Sequence, residues 1–124
     1  MLIKNGNAVY LHGVKKCDIR VSCNKIAETG ENLPLAKNEE IIDASGKFVT
    51  AGFVDIHTHG GYGADFMDRN EDAFEKALSF HLDNGTTTVV PSSCTAPKEE
   101  IIEFLRFAKK YIEKGIKNAA FTPR

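Results

Sequence analysis

The stretch Gly52-Phe-Val-Asp-Ile-His-Thr-His-Gly-Gly61 decides how the rest of the chain is read. Phe53 to His57 is a short apolar run with the character of a strand. Asp55, His57 and His59 are spaced by two, so on an extended backbone their side chains share one face. Two imidazoles projecting together from a strand end are half of a metal site, because a protein metal site ordinarily takes at least three protein ligands. A bare His-x-His is a weak signal and is more often a pair of ordinary polar residues. Three neighbours strengthen it. Asp55 can orient an imidazole by a hydrogen bond, the strand reads as buried, and Gly60-Gly61 lets the backbone bend sharply and a ligand approach.

Downstream of the pair the chain alternates helix and strand. Gly60-Gly-Tyr-Gly-Ala-Asp-Phe-Met-Asp68 is a glycine-rich loop, read as substrate-facing or as a flexible strand-to-helix connection. Gly60, Gly61, Gly63 and Asp65 are its substrate-loop candidates. It lacks the Gly-Lys-Ser/Thr ending of a nucleotide-binding P-loop. Asp65 and Asp68 are possible carboxylate ligands, with loop ordering the commoner role. Asn70 predicts a helix N-cap, followed by Glu71 and Asp72 where the helix dipole favours anions. Phe74, Ala77, Leu78, His81 and Leu82 fall on one helical face, which Gly85 ends. His81 reads there as a packed helical histidine and not as a ligand. Thr86 to Val90 is a β-branched strand, and its three threonines are read as strand filling. Pro97 opens a second helix with the apolar stripe Ile101, Phe104, Leu105, Ala108, Tyr111 and Ile112. Lys98-Glu99-Glu100 is its solvated start, and Asn118 to Phe121 is expected to begin a third strand.

Upstream, residues 1–50 read as short strands and turns. Asn5-Gly6 carries a hairpin signal between Leu2-Ile3 and Ala8-Val9-Tyr10. Ile19, Val21 and Cys23 alternate with polar residues as in a half-buried strand. Asn24-Lys25 turns the chain into Ile26 to Thr29, residues 30–38 form a loop, and two apolar pairs, Ile41-Ile42 and Phe48-Val49, flank a Ser45-Gly46 turn. His12 sits in a turn beside Gly13 with no nameable partner.

Composition narrows the function classes. The 124 residues are 42% hydrophobic and 27% charged, with 16 basic against 17 acidic side chains, which fits a folded globular chain. The net charge of -1 offers no field for nucleic acid or anionic membrane. No apolar run approaches the ~20 residues of a membrane span, and no secretory signal is legible at the N-terminus, so a cytoplasmic location is the expectation. Cys17, Cys23 and Cys94 form neither a disulfide framework nor a Cys-x-x-Cys pair, and read as small buried or half-buried thiols. No Ser occupies a Gly-x-Ser-x-Gly elbow.

These residues together resemble the amidohydrolase superfamily. Thr50-Ala-Gly-Phe-Val-Asp-Ile-His-Thr-His-Gly60 is similar to its first-strand pattern T-P-G-x-x-D-x-H-x-H, with Ala51 in place of the usual proline, and Gly85-Thr-Thr-Thr88 is similar to its second-strand pattern. The loop at 60–68 and the run Thr86-Thr-Thr-Val-Val-Pro-Ser-Ser-Cys-Thr-Ala-Pro97 more narrowly resemble the N-acetylglucosamine-6-phosphate deacetylases; dihydroorotases and hydantoinases share the broader features. The resemblance implies an α/β fold: a small β-sandwich portion over 1–50, then, over 51–124, the first two β/α units and third strand of an incomplete TIM-type (β/α)8 barrel. It implies metal-dependent hydrolysis of the acetamide of N-acetylglucosamine 6-phosphate to acetate and glucosamine 6-phosphate. His57 and His59 would ligate a divalent metal, zinc or iron, in a two-metal variety, with Asp55 orienting them. An amino-sugar phosphate would be the partner, in a homo-oligomer or with association through an open barrel edge.

Length is the large departure. Roughly 74 residues follow position 50, where an eightfold barrel needs about 200 or more. The family's glutamate ligand, later histidines, aspartate base and sugar-phosphate contacts have no counterpart in the chain. Catalytic residues are therefore none, and the chain alone is expected to be inactive. The alternatives are a non-catalytic module, a fragment completed by a second polypeptide, and a two-histidine, one-carboxylate iron site using Asp55, to which three alternate residues of one strand are geometrically ill suited.

Overall fold

A computed structural model describes residues 1–115. The expected third strand at Asn118 to Phe121 lies outside the described residues. The chain divides into two compact units, Met1–Ala51 and Gly52–Arg124.

The first unit is one five-stranded sheet built on β1 (Leu2–Tyr10). β2 (Gly13–Ser22) runs antiparallel to β1, and β3 (Lys25–Gly30) antiparallel to β2. β4 (Ile41–Asp43) and β5 (Phe48–Val49) both pair in parallel with β1, one after the other along its other edge, β4 against Leu2–Lys4 and β5 against Asn7–Ala8. Ala8, Cys17 and Ile19 are buried together, with Ile3, Val21 and Val49 packed against them. The sandwich expected here has, among the described residues of this unit, only this one layer.

The Asn5-Gly6 hairpin is corrected. β1 passes straight through it, and the pairing Ile3↔Ile19 then Gly6↔Cys17 leaves one extra residue on β1, a β-bulge. Asn5 sits in the left-handed region at φ 62, and its amide donates to Asp18 Oδ1 at 2.8 Å. The other oxygen of Asp18 accepts from the Leu33 amide at 2.9 Å, tying down the 31–40 loop. Asn-Gly favours a turn locally, but the carboxylate across the ladder satisfies the displaced amide and keeps the strand whole. The hairpin lies instead at Leu11-His12, where Tyr10 pairs with Gly13.

Cys23 is corrected too. It is exposed and, with Asn24, forms the β2–β3 turn at φ 49 and 57, the double left-handed geometry of a type I′ hairpin.

The second unit sets two helices beside a parallel strand pair. β6 (Phe53–Thr58) pairs with β9 (Thr86–Pro91). Between them come a ribbon of β7 (Gly60–Gly61) and β8 (Ala64–Asp65), a 3-10 turn (Phe66–Asp68) and α1 (Glu71–Asp83). α2 (Lys98–Lys114) follows β9. Asn70 caps α1, its side-chain oxygen accepting from the Ala73 amide at 2.8 Å. The helix face read from sequence is the buried one, with Leu82 partly covered. Phe74 lies at its centre, 4.9 Å from the Phe66 ring, 5.1 Å from Phe107 and 5.0 Å from Tyr111. Val89, Phe104 and Ala108 complete this core.

Two apolar expectations fail here. Leu105 of the α2 stripe is exposed, since a pair of strands is too narrow to cover a stripe that wide. β6, read as buried, exposes Phe53, Val54 and Ile56 at 59, 62 and 74%. Among the described residues only one edge of β6 is paired.

Candidate metal centre

The histidine pair lies at the C-terminal end of β6, where the strand is irregular. Asp55 pairs with Val89 and Thr58 with Pro91, so β6 carries one residue more than β9 across Ile56 and His57. Such bulges re-aim side chains. The His57 and His59 rings meet edge to face, centroids 4.9 Å apart.

Three hydrogen bonds fix His59 and the residue before it. Its Nδ1 lies 3.1 Å from the Ser92 carbonyl, its own carbonyl accepts from the Phe66 amide at 2.8 Å, and the Ser92 amide donates to Thr58 O at 2.8 Å. A carbonyl only accepts, so the His59 proton resides on Nδ1 and the Nε2 lone pair is left for a ligand. This is the arrangement in which metal-binding histidines are oriented. His57 is exposed.

Asp55 does not take the role expected of it toward the pair. One carboxylate oxygen accepts from the backbone amide of His57 at 3.1 Å, and the other faces His81 Nδ1 at 3.7 Å. Among the described residues no group of three or more His, Cys, Asp or Glu side chains is arranged to hold an ion. The pair fits a metal as two imidazole donors and no more.

The glycine-rich loop is an ordered ribbon, not a flexible connection. Tyr62 and Gly63, at φ 49 and 72, make its turn. A Cβ on Gly60 would stand 2.0 Å from the Ala64 carbonyl oxygen, and one on Gly61 would stand 2.6 Å from the Phe80 ring, so only glycine allows both approaches. Tyr62 stacks edge-on against Phe80 and donates to Asp83 at 3.2 Å. Asp65 and Asp68 order the loop: Asp65 accepts from the Met67 amide at 2.8 Å, and Asp68 accepts from the Asp65 amide at 3.2 Å. That is a capping box on the 3-10 turn.

Sequence reasoning missed what His81 does. It is buried as expected for a packed residue, yet its ring bonds to the segment around His59, 3.1 Å from Thr58 Oγ1 and 3.2 Å from the Gly60 carbonyl. Its place on an apolar helix face announced burial; nothing in the spacing named partners more than twenty residues away.

With this geometry in hand, comparison with known proteins is informative. No family model matches the chain. A dihydroorotase of Macrococcus caseolyticus is 32% identical over 120 residues, 94% of this chain and 26% of that protein. A D-hydantoinase of Ralstonia pickettii is 36% identical over 90 residues, 73% of this chain and 19% of that protein. Among solved structures, N-acetylglucosamine-6-phosphate deacetylase from Pasteurella multocida superposes with a TM-score of 0.82 at 25% identity, covering 94% of this chain and 31% of that one. The Mycobacterium smegmatis N-acetyl-D-glucosamine-6-phosphate deacetylase gives 0.79 at 25% identity, covering 93% and 33%. The chain thus spans about a quarter of the dihydroorotase's length and a third of each deacetylase's. Sequence and fold together support placing this chain in the amidohydrolase superfamily.

Proposed function

We propose that this chain carries the first metal-ligating segment of an amide hydrolase, with N-acetylglucosamine 6-phosphate as the substrate and acetate and glucosamine 6-phosphate as the products. The observation that carries the proposal is the His57–His59 pair, with His59 fixed through Nδ1 so that Nε2 is the nitrogen left for a ligand. His57 and His59 would hold a divalent ion, zinc or iron. When bound, such an ion supplies Lewis acidity toward an amide carbonyl and lowers the pKa of a water. The chain's own residues orient His59, through Ser92 and Phe66, and close the ribbon of Gly60, Gly61, Gly63 and Asp65 beside it. The first unit then serves as the small sandwich portion and the second as the start of a barrel, working in the cytoplasm. Exposed Phe53, Val54 and Ile56 and the open edge of β6 would meet further strands or another copy.

A second reading, hydrolysis of a cyclic amide, draws equal support from the dihydroorotase and hydantoinase relatives. The deacetylase reading draws its support from the fold, where the hydantoinase of a Thermus species superposes at only 0.57.

The test has two parts. Titration with Co(II) is expected to give binding that a His57→Ala/His59→Ala variant weakens by at least about tenfold; equal binding by both proteins sinks the ligand assignment. Assay of the metal-loaded protein with N-acetylglucosamine 6-phosphate, dihydroorotate and hydantoin then separates the substrates. The 124-residue chain alone is expected to turn over none of them, whereas a longer gene product that supplies the missing ligands favours the acetamide. Ring opening of dihydroorotate or hydantoin without deacetylation would select the second reading.

A further inference from the structure

His81 occupies the last turn of α1 and is 7% exposed. Its ring reaches three residues of the strand end. Nε2 lies between Thr58 Oγ1 at 3.1 Å and the Gly60 carbonyl oxygen at 3.2 Å, while Nδ1 faces Asp55 Oδ2 at 3.7 Å. Thr58 and Gly60 are the neighbours of His59 on either side, and the Thr58 hydroxyl itself donates to Gly60 O at 3.3 Å. The Phe80 ring, 5.3 Å away by centroids, covers the imidazole's flank.

The order carboxylate, imidazole, hydroxyl invites comparison with a nucleophilic triad. The geometry argues against one. The Asp55–His81 separation is beyond hydrogen-bond range, and the Thr58 hydroxyl is turned onto a backbone carbonyl instead of toward a cleft. What the three contacts do is bracket His59. A carbonyl oxygen can accept twice, and the buried Nε2–H is placed to give Gly60 a second donor beside the Thr58 hydroxyl.

Resting on the reading of His57 and His59 as metal ligands, we infer that His81 is a positioning residue: by clamping Thr58 and the Gly60 carbonyl from α1, it sets the turn that aims the His59 imidazole. A residue of the same shape without the Nε2 donor leaves the Gly60 carbonyl with the Thr58 hydroxyl alone and cuts the tie of the turn to α1. The amide nitrogen of a glutamine can stand where Nε2 stands, whereas that of an asparagine stands nearer Nδ1 and falls short of Gly60.

The test compares His81→Gln, His81→Asn and His81→Leu in the full 124-residue chain. The first readout is Co(II) affinity. His81→Gln is expected to stay within about threefold of the wild type, while His81→Asn and His81→Leu lose about tenfold or more, the scale typical of residues that orient a metal-binding histidine. The second readout needs no metal: amide hydrogen exchange at Phe66, whose N–H bonds to the His59 carbonyl. It is expected to quicken at least about tenfold in His81→Asn and to be restored in His81→Gln, with the Ala77 amide of mid-α1 unchanged as the folding control. Equal behaviour of the Gln and Asn variants in both readouts overturns the inference, including the case where His81→Leu fails to fold. If wild type and His57→Ala/His59→Ala bind Co(II) equally weakly, the ligand reading has failed, and Phe66 exchange alone decides. A Gln–Asn difference there upholds His81 as the clamp of the turn, and its absence overturns it.

Discussion

Replacing Asp18 should destabilise the first unit more than its small size suggests. The residue is 4% exposed and its carboxylate meets two backbone amides, Asn5 at 2.8 Å and Leu33 at 2.9 Å, with Lys4 Nζ at 3.6 Å. Asp18→Ala leaves the buried Leu33 amide without an acceptor, at about 1–3 kcal/mol, and the half-buried Asn5 amide partly so, at about 1 kcal/mol more. The sum is about 3 kcal/mol, which in a domain this small lowers Tm by roughly 10–20 °C. Asp18→Asn turns an NH2 toward one of the two donors and is expected to lose nearly as much. The effect has a pH signature. The Asn5 amide foremost, then the Leu33 amide and the Lys4 charge, hold the Asp18 carboxyl below its ordinary value against the opposing effect of burial. The folded state therefore binds this proton less readily than the unfolded state. The associated stability is in place above the unfolded pKa of about 3.9 and disappears as pH falls through the folded value. Urea melts of wild type and Asp18→Asn between pH 7 and pH 2 should show a gap that closes at the acid end. Asp43 and Glu39, also held low, titrate in both proteins and drop out of the difference. A gap below about 0.5 kcal/mol at pH 7, or one that persists unchanged to pH 2, would refute this account of the bulge.

Other substitutions probe the second unit. Phe74→Ala removes the ring on which Phe66, Phe107 and Tyr111 converge and is expected to cost about 3–5 kcal/mol, read by chemical denaturation; a cost under 1 kcal/mol would show that the aromatic cluster is loosely packed. Gly60→Ala sets a methyl against the Ala64 carbonyl, which has no side chain to swing away, and is expected to cost about 1–3 kcal/mol and to release the Phe66 amide to exchange. Asn70→Ala should cost about 1 kcal/mol through the lost bond to Ala73, measured as a shift in the α1 melt.

The second unit was largely legible because its signals are local. Asn70, the three-and-four spacing after it, Gly85, the β-branched run and Pro97 each specify their own element. The first unit was less so where a distant residue decides. Asn5-Gly6 looks like a turn until Asp18 is seen opposite it, and the parallel pairing of Ile41-Ile42 and Phe48-Val49 with β1 has no signature in either dipeptide. At the candidate site the pairing of His57 with His59 followed from their spacing. The bulge that places them did not, nor did the diversion of Asp55 to a backbone amide, nor the clamp from His81. Each of these depends on which atoms come close after the chain has folded back.

The placement of β1 bears on how the first unit assembles in time. The strand that borders three others precedes all of them in the chain, and its partners along one edge lie near residues 41–49. β1, β2 and β3 close through two-residue turns and can form on the microsecond scale of hairpins. β4 and β5 must close chain loops of several tens of residues before they touch β1, which places them late on the folding path. Until then one edge of β1, bearing Leu2 and Ile3, stays open. During synthesis that edge waits for about forty further residues, an interval in which a nascent chain is most exposed to pairing with the wrong partner.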